Sequence, residues 1–160
     1  MISVRETAIG WIAIEEKDGW ITHLDLPNQA AGRPRVPVEE TPLLKEAFRQ
    51  LDLYLEGKLQ VFTLPLKVEG SPFMERAWKK LAEVPYGRTI TYGDLAALAG
   101  NPKAARAAGM ACARNPIAIF IPCHRVVGSG GRMVGFGGGL NLKSWLLEHE
   151  ARHSGQSGGR

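Results

Sequence analysis

Residues Thr91–Cys112 read TYGDLAALAGNPKAARAAGMAC. Thr91 is an N-cap residue type, and it opens a short helix that runs through Leu98. Gly100 ends that helix, and Asn101-Pro102 starts another almost at once, with proline at a position where its missing N–H costs nothing. Two short helices joined by a tight glycine turn predict a helix-turn-helix, its second member running from Pro102 to about Cys112.

Toward the N-terminus, Ser71 and Pro72 open a further helix carrying Phe73, Ala77, Trp78, Leu81 and Val84 to a core, closed by Tyr86-Gly87. Before it, Pro65 and the segment 68–72 mark a boundary. Residues 8–14 and 20–26 flank Glu16-Lys17-Asp18-Gly19 and predict a β-hairpin. A loop bearing proline and glycine follows. Thr41 then caps a helix with Pro42 at its first position, whose stripe Leu44, Phe48, Leu51 and Leu55 ends at Gly57. Residues 59–64 (LQVFTL) predict another strand. Toward the C-terminus, Leu142, Trp145, Leu146 and His149 recur at helical spacing, and 153–160 has the composition of a disordered tail.

The expected fold class is therefore α+β. Residues 1–70 form a small N-terminal domain of hairpin or three-stranded sheet plus helix, and residues 71–152 form a mostly helical domain. A chain of 160 residues with 44% hydrophobic content can bury a core without staples. Its two cysteines, Cys112 and Cys123, lack metal-ligand spacing, which predicts a reducing cytoplasm and no metal. No apolar run approaches the length of a membrane span.

Charge is divided unevenly. Residues 1–71 hold 8 basic against 11 acidic side chains, and residues 72–160 hold 12 against 5. A basic half beside an acidic one points to a polyanionic partner, most simply nucleic acid, or else to a merely solvated surface.

In IFIPCHRVV, residues 119–127, a cysteine, a histidine and an arginine stand without spacers between apolar runs. A lone cysteine among Ile and Val is commonly a small buried hydrophobe. Burying His124 and Arg125 beside it is costly, so these polar groups imply a cleft or a partner. Nearby positive charge predicts a lowered thiol pKa at Cys123. Successive strand side chains point to opposite faces, so Cys123 and His124 cooperate only if the backbone turns after Pro122 or a water carries the proton. His124 would need an orienting acceptor, and Glu150 is an available carboxylate.

IPCHRVV, Asn115-Pro116, TITYGDLAALAGNPKAAR and the closing VGFGGGL and KSWLLEHE together resemble the O6-alkylguanine-DNA alkyltransferases. The resemblance covers residues 72–150 almost continuously, whereas residues 1–70 match only in general character, as that family's variable, ribonuclease-H-like N-terminal domain would. It implies irreversible, single-turnover transfer of an alkyl group from guanine O6, with O4-alkylthymine as a further candidate, to Cys123. His124 would take the thiol proton through a water, Glu150 would hold His124, and Asn115 would support the cysteine loop. Tyr92 would place its hydroxyl near guanine N3. A base inside a duplex must swing out to be reached, and Arg106 would fill the vacated space, unless it is only an exposed helix arginine. The second helix would enter the minor groove of double-stranded DNA, with Thr91, Lys103, Ala105 and Arg114 beside it. Gly137 would offer its amide to O6, and the Val126 carbonyl would receive the guanine amino group, with Phe136, Gly138 and Met110 completing the pocket. Phe136 is otherwise a plain core aromatic, and the glycine-rich loop 128–139 is otherwise a flexible linker.

Two residues depart from the family pattern: Met110 stands where a small residue is usual, and Cys112 where a larger apolar one is common. Cys112 is expected to be buried and inert. No cofactor is implied. The implied protein is a cytoplasmic monomer, nucleoid-associated in a prokaryote. Three rivals remain open: a binding-only lesion sensor, which Cys123 argues against; a transcription regulator, which leaves Pro122-Cys123-His124 without a task; and a cysteine hydrolase using Cys123, His124 and Asn115.

Overall fold

The computed structural model describes residues 1–33 and 39–155. Three antiparallel strands, β1 (Ile2–Thr7), β2 (Gly10–Lys17) and β3 (Trp20–Asp25), form a sheet in the order β1-β2-β3. The hairpin is tighter than its sequence suggested. Asp18 and Gly19, at φ 53° and 84°, make a two-residue turn, and Glu16 and Lys17 belong to β2. Both central residues lie at positive φ, the mirror-image turn whose twist matches paired strands.

The third strand is β1, not residues 59–64. That segment forms no strand and bends at Gln60 and Val61, while Phe62 and Leu64, with Leu66 just beyond it, pack against the core. The chain meets β3 just beyond the segment, at Leu66, where Ile21 donates to the Pro65 carbonyl and Lys67 donates back to Ile21. Pro65 has no N–H to extend a ladder.

A short turn of helix, α1 (Pro27–Ala30), which the sequence did not announce, leads toward α2 (Pro42–Leu55). The Thr41 hydroxyl accepts from Leu44 N at 3.1 Å, and Leu44, Phe48, Leu51 and Tyr54 are wholly buried. Part of the loop after α1 and residues 156–160 of the expected tail lie outside the described residues.

The second half comprises α3 (Pro72–Leu81), β4 (Ile90–Thr91), α4 (Tyr92–Leu98), α5 (Ala105–Ala113), β5 (Val126–Val127) and α6 (Leu140–His153). Ser71 and Thr91 cap α3 and α4 through Met74 N and Asp94 N. Val84 is buried beyond the end of α3. α5 starts three residues later than Pro102, because Asn101 accepts from Lys103 N and Ala104 N and holds residues 101–104 as a turn. His153 is the last residue of α6 and not part of a tail; its ring sits directly on Gly57. β4 and β5 pair in parallel and join the end of α3 to the cysteine segment.

One contiguous core runs through both halves, from Ile12 and Phe48 to Leu95, Ile117 and Leu146. Among the described residues, no helix is long and apolar enough to cross a membrane.

Candidate active site

Cys123 is delivered by a tight turn. Asn115 Oδ1 accepts from Ile117 N at 3.0 Å, and its Nδ2 donates to the Ile121 carbonyl at 2.8 Å, so one side chain pins both ends of residues 117–121. Inside that turn Ile119 has φ 71°, a left-handed conformation that costs a β-branched residue about 1–3 kcal/mol and persists only where its surroundings enforce it. The backbone then turns after Pro122 into one turn of 3-10 helix, Cys123–Arg125, in place of a continuing strand. That geometry turns His124 inward.

His124 and Glu150 are both wholly buried. His124 Nε2 lies 2.6 Å from Glu150 Oε2. Arg125 donates through Nε to Glu150 Oε1 at 2.8 Å and through Nη2 to Oε2 at 3.0 Å, and Gly87 N donates to Oε1 at 3.1 Å. Burial alone would push the Glu150 carboxyl up, but the hydrogen bonds and charges of His124 and Arg125 hold it well below the usual carboxylate range. Glu150 is thus a fixed anion that takes no proton. Because the carboxylate can only accept, His124 carries its hydrogen on Nε2, and Nδ1 is left as the basic nitrogen. Nδ1 is buried and has no partner among the described residues. Burial also lowers the His124 pKa, so the ring is neutral near pH 7.

The expectation of a lowered thiol pKa is reversed. Burial raises Cys123, while hydrogen bonding to Asn115 and the charge of Lys143 only partly offset it. Arg125 spends its charge on Glu150. The resting sulfur is therefore a thiol that needs a base at the moment of attack.

Cys123 opens on a cleft of about 290 Å³, lined also by Tyr92, Gly109, Cys112, Gly135, Phe136 and Gly137. That is the small end of ligand pockets, suited to one planar ring. A larger groove of about 530 Å³ beside β3, lined by Glu15, Trp20, His23 and Lys67, contains no thiol. The Tyr92 hydroxyl donates to the Val134 carbonyl at 3.2 Å, and burial pushes its pKa up to about 12, so it remains a proton donor.

Val126 and Gly138 are not among the lining residues. The Val126 carbonyl accepts from Lys143 at 2.6 Å, and Gly138 packs against Leu26, Leu142 and Phe136. Met110 is 46% exposed on α5, outside the cleft. Cys112, expected to be buried and inert, is partly exposed and faces the cleft, although burial holds its thiol up at about 12. Arg106, Lys103, Ala105 and Arg114 are exposed on or beside α5, whereas the Thr91 hydroxyl is occupied as the α4 cap.

Sequence reasoning missed Lys143 and Tyr54, and it did not pair Arg125 with Glu150. Lys143 is wholly buried, and its ammonium donates to the carbonyls of Val126 at 2.6 Å and Val134 at 2.9 Å, tying the glycine-rich loop to β5. A lysine on the apolar side of a helix, one residue from Leu142, was the available signal. Tyr54 reaches Glu150 from the other half of the chain, and Arg125 grips the same carboxylate. Only tertiary proximity reveals these two. Among the described residues, no group of three or more His, Cys, Asp or Glu side chains is placed to hold a metal ion.

Comparison with known proteins adds independent findings. The family model described as "6-O-methylguanine DNA methyltransferase, DNA binding domain" matches residues 72–152, and that described as its "ribonuclease-like domain" matches residues 2–68. A methylated-DNA–protein-cysteine methyltransferase of Methanosarcina barkeri is 43% identical over 152 residues, covering 92% of this chain and 94% of its own. One from Mycobacterium leprae is 42% identical over 91% of this chain and 88% of its own. The solved structure of Mycobacterium tuberculosis OGT in complex with DNA superposes with TM-score 0.84 at 37% identity, covering 95% of this chain and 93% of that one.

Proposed function

The chain belongs to the 6-O-methylguanine DNA methyltransferase family and repairs DNA by irreversible transfer of an alkyl group to one of its own cysteines, and from that premise we propose that the acceptor is Cys123 and the donor O6-alkylguanine in duplex DNA. The observation that carries this assignment is the conjunction of a thiol at the base of an open, ring-sized cleft with a neutral, buried histidine whose free nitrogen is Nδ1.

As the sulfur attacks the alkyl carbon, the S–C bond forms and the C–O6 bond breaks. The thiol proton passes through one water to His124 Nδ1, and the imidazolium is stabilised by the Glu150 carboxylate. The bonding pair leaves with the purine, and Tyr92, released from the Val134 carbonyl, donates a hydrogen bond at N3 that stabilises the negative charge of the departing base. Gly137 N–H supports O6. No group returns the alkyl from a thioether, so each molecule acts once.

O6 is inaccessible inside a stacked pair, so the nucleotide must leave the duplex. α5, with Arg106 exposed near its start, lies beside the cleft through Gly109, Cys112 and Ala113, and suits the minor groove, where readout is largely blind to sequence. A single chain contains every group in this scheme, so the working unit is a monomer.

The test is mass mapping after incubation with an O6-methylguanine oligonucleotide. A methyl group on the peptide containing Cys123, absent from Cys123→Ala, is expected. An unmodified protein that still binds the DNA overturns the assignment in favour of a lesion sensor.

A further inference from the structure

The established chemistry uses groups from the C-terminal half, yet the buried carboxylate at its end is held from both halves. Tyr54, on α2 in the N-terminal half, is wholly buried and donates its hydroxyl to Glu150 Oε2 at 2.6 Å. The same oxygen takes the His124 and Arg125 hydrogen bonds, and the Tyr54 oxygen lies 3.5 Å from His124 Nε2. A carboxylate offers about four lone-pair sites, and with Gly87 N this one meets five donor contacts. It is saturated, and each donor limits what the others receive.

We propose that Tyr54 is a positioning residue for alkyl transfer, supplied by the N-terminal domain, whose hydroxyl fixes the Glu150 carboxylate and moderates its pull on the His124 ring. The proposal rests on the reading of Cys123 as acceptor and His124 as base. Its physical content is a partition of negative charge. With the hydroxyl present, Oε2 divides its accepting power between a phenol, an imidazole and a guanidinium. Without it, more of the charge falls on His124, the imidazolium is favoured, and less neutral base is present at a given pH. The groups facing His124 are Glu150, Arg125 and Lys143. Those facing the Tyr54 hydroxyl and ring are Glu150, Arg125, Tyr86 and His149. Arg125 and Gly87 cannot replace the lost donor, because both are already bonded to the same carboxylate.

Tyr54→Phe keeps the ring contacts to Phe62, Tyr86 and His149 and removes only the hydroxyl. Single-turnover transfer from an O6-methylguanine duplex, followed between about pH 5.5 and about pH 8.5, reads the effect on the base directly. Thermal unfolding and duplex affinity are measured on the same samples. The expected result is an acid limb displaced upward by about half a pH unit or more, a rate about threefold lower on that limb with little change at the alkaline end, and unchanged duplex affinity. Glu150→Gln supplies the second arm: if Tyr54 acts through the carboxylate, adding Tyr54→Phe to it produces no further displacement of the limb. A pH profile that superimposes on the wild type, or a rate lowered evenly at every pH alongside a lower Tm, overturns the proposal and leaves Tyr54 a packing residue. A wild-type protein that places no methyl group on Cys123 overturns the underlying reading instead, so the two failures are distinct.

Discussion

At the scale of single residues, the site is a buried electrostatic device in which few atoms are spare. Removing Arg125 from Glu150 leaves an uncompensated carboxylate, and Arg125→Ala is expected to cost about 3–5 kcal/mol in denaturant unfolding. Lys143→Met preserves length but strands the Val126 and Val134 carbonyls, an expected loss of about 2–4 kcal/mol together with slower transfer from a loosened loop. Variants as stable as the wild type would show these bonds to be replaceable by water. Acid stability follows from the histidines. Burial lowers His124 and His149 from their ordinary 6.5, so the unfolded chain binds protons below that pH which the folded chain does not. The contribution is therefore complete above about pH 6.5 and fades as pH falls through the folded values. A Tm that declines from pH 7 toward pH 5, less steeply in His149→Gln, is the expected melting record, and a flat one contradicts it.

At the scale of elements, the helix-turn-helix and the cysteine turn do different work. α4 is fixed by reciprocal bonds between Thr91 and Asp94, and Thr91→Ala is expected to cost about 1 kcal/mol and to loosen the Tyr92 end of the cleft. Arg106, near the exposed start of α5, is the residue proposed for the step that empties the base stack. Arg106→Ala is expected to slow transfer from duplex DNA more than reaction with a free O6-alkylated base, compared as two rate constants. Equal effects would remove its role in extrusion. The segment 59–64 shows why an apolar run is not yet a strand: it has the composition, and Phe62 and Leu64 pack on the core, but a ladder needs a free edge and a donor at each step, and Pro65 withholds one.

At the scale of the whole molecule, the acidic N-terminal half and the basic C-terminal half share one core but face different tasks. Duplex affinity is expected to fall steeply and linearly on logarithmic axes as salt rises, because phosphate contacts release counterions; a slope near zero would refute a backbone-dominated interface. The amino-acid sequence by itself determined the α+β class and the capped helices after Thr41, Ser71 and Thr91, because caps and helical periodicity are local signals, whereas the grouping of Cys123, His124, Asn115, Tyr92 and Glu150 was implied by the family resemblance. Tertiary structure alone decided that β1, not residues 59–64, completes the sheet, since strand pairing is settled by which edge is available. It also decided that Cys123 rests as a protonated thiol and that Tyr54, 96 residues from Glu150, holds the carboxylate. Desolvation and long-range contact depend on what the folded chain packs around an atom, and no window of sequence contains that.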